Sequence, residues 1–160
     1  MNVFLIFSAK DSDFFQIEKF TKILKEKNKI KDVFYWDGSK GSIALYIKDK
    51  MDKSDVVILF CSESTRLSDA VAMEWEMADR MGKSIIPIFQ NHSNIPLLLS
   101  SRLGVEFKRN DLKGTIEKSY QLILKEADVK SNHISTQSQI KQSDLEFVQE
   151  VESLLMRNVI

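Results

Sequence analysis

The stretch "DVVILFCS" at residues 55–62 decides the fold class of this chain. Its apolar residues follow one another without the alternation that marks a strand with one solvent-exposed face. Such a strand is buried on both faces, which is typical of a parallel sheet covered by helices on each side. Outward from it, four further strands are predicted: "VFLIFS" (3–8), "KDVFYWD" (31–37), "SIIPIF" (84–89) and "GVEFK" (104–108).

Helical patterns separate these strands along the chain. Apolar residues recur at helical spacing between residues 13 and 28, and again in the segments 43–51, 68–83 and the region ending near 125. Alternation of strand and helix implies right-handed crossovers. The sequence therefore predicts an α/β fold, a flavodoxin-like three-layer sandwich with a five-stranded parallel sheet in the order 2-1-3-4-5 and helices on both faces.

The charge balance limits the classes of partner. Lys and Arg number 23 and Asp and Glu number 23, so no basic field is available for a nucleic acid or an anionic membrane. Cys61 is the single cysteine and the histidines are two, which gives neither a disulfide framework nor a zinc cluster. No stretch reaches the length of a membrane span. A cytoplasmic protein without a metal or a cofactor is expected.

The chain divides into three parts. Residues 1–127 form the predicted domain, the polar stretch 128–142 is interpreted as a linker, and 143–160 begin with the capping-box pattern "SDLE" and continue as an amphipathic helix. Two interpretations of this helix stay open. It folds back on the domain, or it mediates oligomerisation or begins a second module.

Ligands of such sheets collect beyond the carboxyl ends of the strands. These ends fall at Ser8 to Asp11, Trp36 to Gly41, Cys61 to Ser68, and from Gln90 onward. Structural roles are alternatives for several of these residues. Ser8, Lys10 and Asp11 also fit a helix cap, Trp36 fits a core residue, and Cys61 fits a small apolar filler better than a reactive thiol.

The helix "SDAVAMEWEMADRMGK" (68–83) carries an acid on each side of Trp75. Val71, Trp75, Ala78 and Gly82 form one stripe that is expected to face the core. Glu74 lies about 100° round the helix from Trp75, at the border of that stripe, and Glu76 lies about 100° the other way, where solvent is expected.

Taken together, "VFLIFSAKD", "VFYWDGSKGSIALYIKDKMDKSDVVILFCSES" and the helix at 68–83 resemble a Toll/interleukin-1 receptor (TIR) domain of the prokaryotic type, over about residues 1–127. The family's helix pattern departs here at one position, because its usual tryptophan four residues before the glutamate is Ala70. Trp36 and Trp75 are the candidates for an aromatic wall in its place. The positions that fall on the family pattern are Ser8, Asp37, Gly41, Ser62, Ser68, Glu74, Ala78, Gly82, Lys83 and Pro87.

The resemblance implies an NAD glycohydrolase of defence or stress signalling, with NAD as substrate and not as cofactor. In the family's helix pattern, the essential glutamate of active members falls at Glu74. Counting six residues forward from Ser68 and counting eight back from Gly82 both give this position. The resemblance also implies self-association through TIR–TIR contacts, a mobile loop after Asp37, and contacts with other TIR-containing or effector proteins. The substrate-binding residues that it implies are Phe7, Ser8, Ala9, Lys10, Asp11, Trp36, Asp37, Gly41, Ser62 and Ser68.

Two other functions are carried as alternatives. The first is a non-enzymatic adaptor that acts only by TIR–TIR interaction, which needs neither Glu74 nor a pocket. The second is a nucleoside deoxyribosyltransferase-like enzyme on a related sandwich, which also uses a glutamate at a ribose carbon. Assays with NAD and with a nucleoside separate the two enzymes.

Overall fold

A computed structural model describes residues 1–36, 43–131 and 142–157 of the chain. Strands and helices alternate in it as the sequence predicts. The strands are β1 (Asn2–Ile6), β2 (Asp32–Phe34), β3 (Val56–Cys61), β4 (Ser84–Phe89) and β5 (Val105–Glu106). The helices are α1 (Ile17–Lys25), α2 (Ile43–Asp52), α3 (Glu63–Arg66), α4 (Asp69–Arg80), α5 (Leu112–Ser131) and α6 (Gln142–Arg157).

All five strands form one parallel sheet in the order β2-β1-β3-β4-β5, which confirms the predicted topology. The central strand β3 pairs with β1 on one side and with β4 on the other, and Val57 lies opposite both Phe4 and Ile85. All six residues of β3 are buried. The uninterrupted apolar run at 56–61 is therefore explained by two covered faces.

Alternate residues of β3 enter two separate cores. Val56, Ile58 and Phe60 belong to the core under α1 and α5, while Val57, Leu59 and Cys61 belong to the core under α2, α4 and α6. This alternation follows from the two-residue period of a strand. It places α4, with both of its glutamates, on the same face of the sheet as α2 and α6.

The ends of several elements differ from the prediction. β1 ends at Ile6, and a 3-10 turn at Ala9–Asp11 precedes α1. α5 continues to Ser131 and α6 begins at Gln142, so residues 128–131 and 142 are helical where a linker is predicted. The rest of that linker, 132–141, and the predicted mobile loop after Asp37 lie outside the described residues.

A helix that spans a membrane must be long and predominantly apolar. Within residues 1–36, 43–131 and 142–157, no helix combines the length and the apolar character needed to cross a bilayer.

Candidate functional site

Helix α4 is fixed at both ends by its own sequence. The Ser68 hydroxyl accepts a hydrogen bond from the backbone N–H of Val71 at 3.2 Å, which caps the first turn. At the other end Gly82 adopts a φ of 72°, and the N–H groups of Gly82 and Lys83 donate to the carbonyls of Asp79 and Ala78, each at 3.0 Å. This Schellman arrangement needs a residue that tolerates the left-handed region. The two caps set the rotational position of Glu74.

Glu74 is half-buried as a whole residue on α4, and its carboxyl group is enclosed by protein. Burial raises the pKa of Glu74 to about 8, and among the described residues no hydrogen bond or neighbouring charge contributes to the shift. Removal of a carboxylate from water without a compensating partner favours its neutral form. Glu76, on the other side of Trp75, is also half-buried, although solvent was predicted for it.

A cleft of about 390 Å³ opens at the carboxyl ends of β1 and β3. Its lining residues are Ser8, Lys10, Glu63, Ser64, Leu67 and Ser68. Three of them, Ser8, Lys10 and Ser68, are among the predicted substrate-binding residues. Glu74 is not a lining residue, because it follows Ser68 by six positions, about 9 Å along the helix axis.

Asp11 and Ser62 are bound to each other. The Ser62 hydroxyl donates to Asp11 Oδ2 at 2.5 Å, and Ser62 Oγ accepts from the backbone N–H of Thr65 at 3.1 Å. The Ser62 N–H in turn donates to the Thr65 hydroxyl at 2.6 Å, which completes a capping box for α3. This network joins the segment after β1 to the end of β3 and shapes the cleft between them.

The aromatic residues near this edge have different surroundings. Phe7 packs edge-on against Tyr35 and Phe60, in the core under α1 and α5. Trp36 is half-buried and packs edge-on against Tyr46 of α2, with 5.4 Å between ring centroids. Trp75 is only 7% exposed and lies in the core under α4, so it does not form a pocket wall.

A family model with the description "TIR domain" matches residues 3–124 of the 160-residue chain. The chain belongs to the TIR domain family, of the prokaryotic type. A comparison with curated proteins finds no match. The matched residues run from β1 into α5, and α6 follows them. The resemblance drawn from the strand ends and from the helix at 68–83 is thereby confirmed as to family.

The TIR domain brings some of the predicted site residues together and separates others. Ser8, Lys10 and Ser68 share the cleft, while Asp11 and Ser62 do not line it and are hydrogen-bonded to each other. Ala9 is exposed in the 3-10 turn. Phe7 packs against the core under α1 and α5. Asp37 and Gly41 lie outside the described residues.

Sequence reasoning did not single out three residues that line the cleft. Glu63, Ser64 and Leu67 fall within the predicted ligand edge Cys61 to Ser68, and that position was the available signal. The side chain of Met77 was also missed, since it is fully buried although it lies away from the predicted core stripe of α4.

Among the residues that the structure describes, the remaining reactive side chains do not form a second centre. Cys61 is buried, and burial raises its pKa to about 12, which confirms its interpretation as an apolar filler. His92 is exposed. Within the described part of the chain no three His, Cys, Asp or Glu residues are grouped as metal ligands.

Proposed function

We propose that this TIR domain cleaves the bond between nicotinamide and ribose in NAD, with Glu74 as the catalytic residue. The observation that carries the proposal is a glutamate at the family's position on α4, half-buried and with its pKa raised by burial. Ionisable groups with strongly perturbed pKa values concentrate at functional sites. Glu76 has the same chemistry on the other side of Trp75 and serves as the internal comparison.

One carboxylate is sufficient for this reaction. Ordinary glycosidases need a second carboxyl group to protonate a poor leaving oxygen. The nicotinamide of NAD is a cationic pyridinium, and it takes the bonding electron pair and leaves as a neutral molecule. Positive charge then grows on the ribose, and an anion in a partly dry site stabilises it. Water forms the new bond at the ribose carbon and releases a proton, giving ADP-ribose, or a nucleophile within the product closes a cyclic ADP-ribose.

The cleft at the strand ends supports the rest of the substrate. Lys10 and the hydroxyl groups of Ser8 and Ser68 offer a positive charge and hydrogen-bond donors to the diphosphate of NAD, beside the carboxylate of Glu63. Asp11 and Ser62 are then positioning residues, because they bind each other and hold the two segments that form the cleft.

The test compares the two glutamates by quantifying nicotinamide release from NAD. We expect Glu74→Gln to lower the rate by roughly a hundredfold or more, because a charge aimed at the transition state is commonly worth several kcal/mol. Glu76→Gln, the matched control, should stay within a few-fold of the wild type. Melting temperatures confirm that both variants fold, and a nucleoside substrate run in parallel identifies a deoxyribosyltransferase. Full activity of Glu74→Gln would remove this residue from the mechanism.

Exposed leucines favour self-association as a second function of the domain. Leu67, Leu97 and Leu98 are 72%, 87% and 75% exposed. Large apolar side chains that are exposed together mark interaction sites more often than isolated ones do. An adaptor would use such contacts alone, whereas the proposed enzyme would combine them with Glu74. Abundant self-association without any nicotinamide release would favour the adaptor.

A further inference from the structure

Helix α6 packs across α2 and α4, on the face of the sheet that carries Glu74. Val151 and Leu155 are each 2% exposed and belong to the same core as Met77 of α4. At the end of α4 the Arg80 guanidinium lies over the Phe147 ring, 3.7 Å from its centroid. α6 therefore lies against α2 and against the part of α4 that carries Met77 and Arg80.

The cover gives α4 a second buried stripe. Met77 lies about 160° round the helix from Trp75, so one flat sheet could not bury both side chains, and yet Met77 is fully buried. Glu74 lies between the two stripes, about 100° from Trp75 and about 60° from Met77. The helical positions thus place Glu74 next to Met77, a residue of the core that α6 shares.

The contacts between α6 and the rest of the domain are few and weak, which suits a helix that can detach. Of its side chains that the structure describes, only Val151 and Leu155 are fully buried. The ion pair between Lys48 Nζ and Glu152 Oε1 measures 3.3 Å, and both side chains are partly exposed. A partly exposed ion pair and a surface cation–π contact contribute little and weaken with salt.

We propose that α6 is a regulatory cover, which restricts access to Glu74 while docked on α2 and α4 and admits the substrate when it is released. The proposal rests on the proposed function for its consequence, but not for its geometry. The helix lies beyond the residues 3–124 that match the family model. Control of the site is therefore assigned to a segment that this chain adds after the matched TIR region.

The experiment measures access to position 74 and NAD cleavage separately, in the full chain. Glu74→Cys places a thiol at position 74, and a maleimide reagent measures how accessible it is. The other thiol, Cys61, is buried and reacts slowly, so the background labelling is low. Val151→Asp with Leu155→Asp places two charges in the docked face and releases α6. Ser153→Asp adds a charge to the exposed side of the same helix and is the matched control. Hydrogen exchange of the α6 amides reports release directly.

We expect maleimide labelling at Glu74→Cys to be at least about tenfold faster in the release variant than with Ser153→Asp, since local opening governs the reactivity of a covered group. With Glu74 in place, the release variant should cleave NAD several-fold faster. If the α6 amides exchange faster in the release variant but both variants are labelled at the same rate, the proposal that α6 covers position 74 is wrong. Faster labelling with slower cleavage would overturn the regulatory role, because α6 would then support the site.

Two precautions keep the outcomes separate. If the double variant melts the domain, Phe147→Ala removes only the ring beneath Arg80 and is measured in the same way. If no protein, including the wild type, cleaves NAD, the proposed function fails, and the labelling comparison still decides whether α6 covers position 74.

Discussion

The protonation of Glu74 is the residue-scale feature with the largest consequence for the chemistry. With a pKa of about 8, this side chain is mostly a neutral acid at neutral pH. A neutral acid cannot stabilise a cationic transition state, so Glu74 must lose its proton to act. The pyridinium charge of a bound NAD would favour the ionised form, since an opposite charge within a few ångströms lowers a carboxyl pKa. In the proposed reaction, substrate binding and the ionisation of Glu74 would therefore be coupled.

The pH dependence of cleavage tests this coupling. Because the raised pKa leaves the active carboxylate scarce below pH 8, kcat/KM should increase with pH and level off near the pKa of about 8 in the free protein. kcat should level off at a lower pH, because the bound pyridinium lowers the pKa. Initial rates from pH 6 to pH 9, with Glu74→Gln as the blank for chemical hydrolysis of NAD, measure both. A flat kcat/KM profile would contradict the raised pKa.

The family pattern in the sequence selects Glu74 as the proposed catalytic residue but does not specify its protonation. The count from Ser68 and Gly82 gives this position in the pattern, and the structure shows that both residues cap α4. The pKa depends on what covers the helix flank, which no spacing specifies. Ser62 and Asp11 show a similar limit, since their mutual hydrogen bond appears only when β1 and β3 are adjacent.

At the scale of elements, the end of α4 shows how the family pattern serves the fold. The turn between α4 and β4 depends on Gly82 because its φ of 72° is unfavourable for residues with a Cβ. The space around it is open, as a Cβ there would meet nothing within 4 Å. Backbone conformation alone therefore selects glycine at this position.

A pair of substitutions at Gly82 separates conformation from packing. We expect Gly82→Ala to cost about 1 kcal/mol of unfolding free energy, because alanine is strained in the left-handed region. Gly82→Asn should cost less, since asparagine tolerates that region better. Chemical denaturation of both variants measures the difference. Equal losses would indicate that the positive φ does not set the cost.

The sequence predicts a strand well where both of its faces are buried, because the strand is then a continuous apolar run. The apolar run at 84–89 coincides with β4, while β2 and β5 are shorter than the runs that predicted them, because apolar composition marks burial and not the limits of pairing. The apolar stripe of α6 was recognised, but its site on α2 and α4 was not. A stripe shows that a face is covered and leaves its partner open.

On the scale of the whole molecule, the exposed leucines cluster at one end of the sheet. Leu67 follows α3, which packs against the turn His92–Asn94, and Leu97 and Leu98 come just after that turn. This end also carries the cleft of Ser8, Lys10 and Ser68. A neighbouring copy bound to these leucines would lie beside the cleft and complete its wall, so the proposed cleavage is expected to depend on assembly.

Assembly is tested by the dependence of specific activity on protein concentration. Mass action predicts that nicotinamide release per mole of protein increases with concentration or crowding, since only associated copies complete the site. Leu97→Ser with Leu98→Ser should abolish the increase by removing the apolar contact. Leu103→Ser is the matched control, because Leu103 is 57% exposed but lies beside Lys83 and Ser84, at the start of β4 and the opposite edge of the sheet. Constant specific activity over a wide dilution series, with a monomer by light scattering throughout, would show that one copy is sufficient.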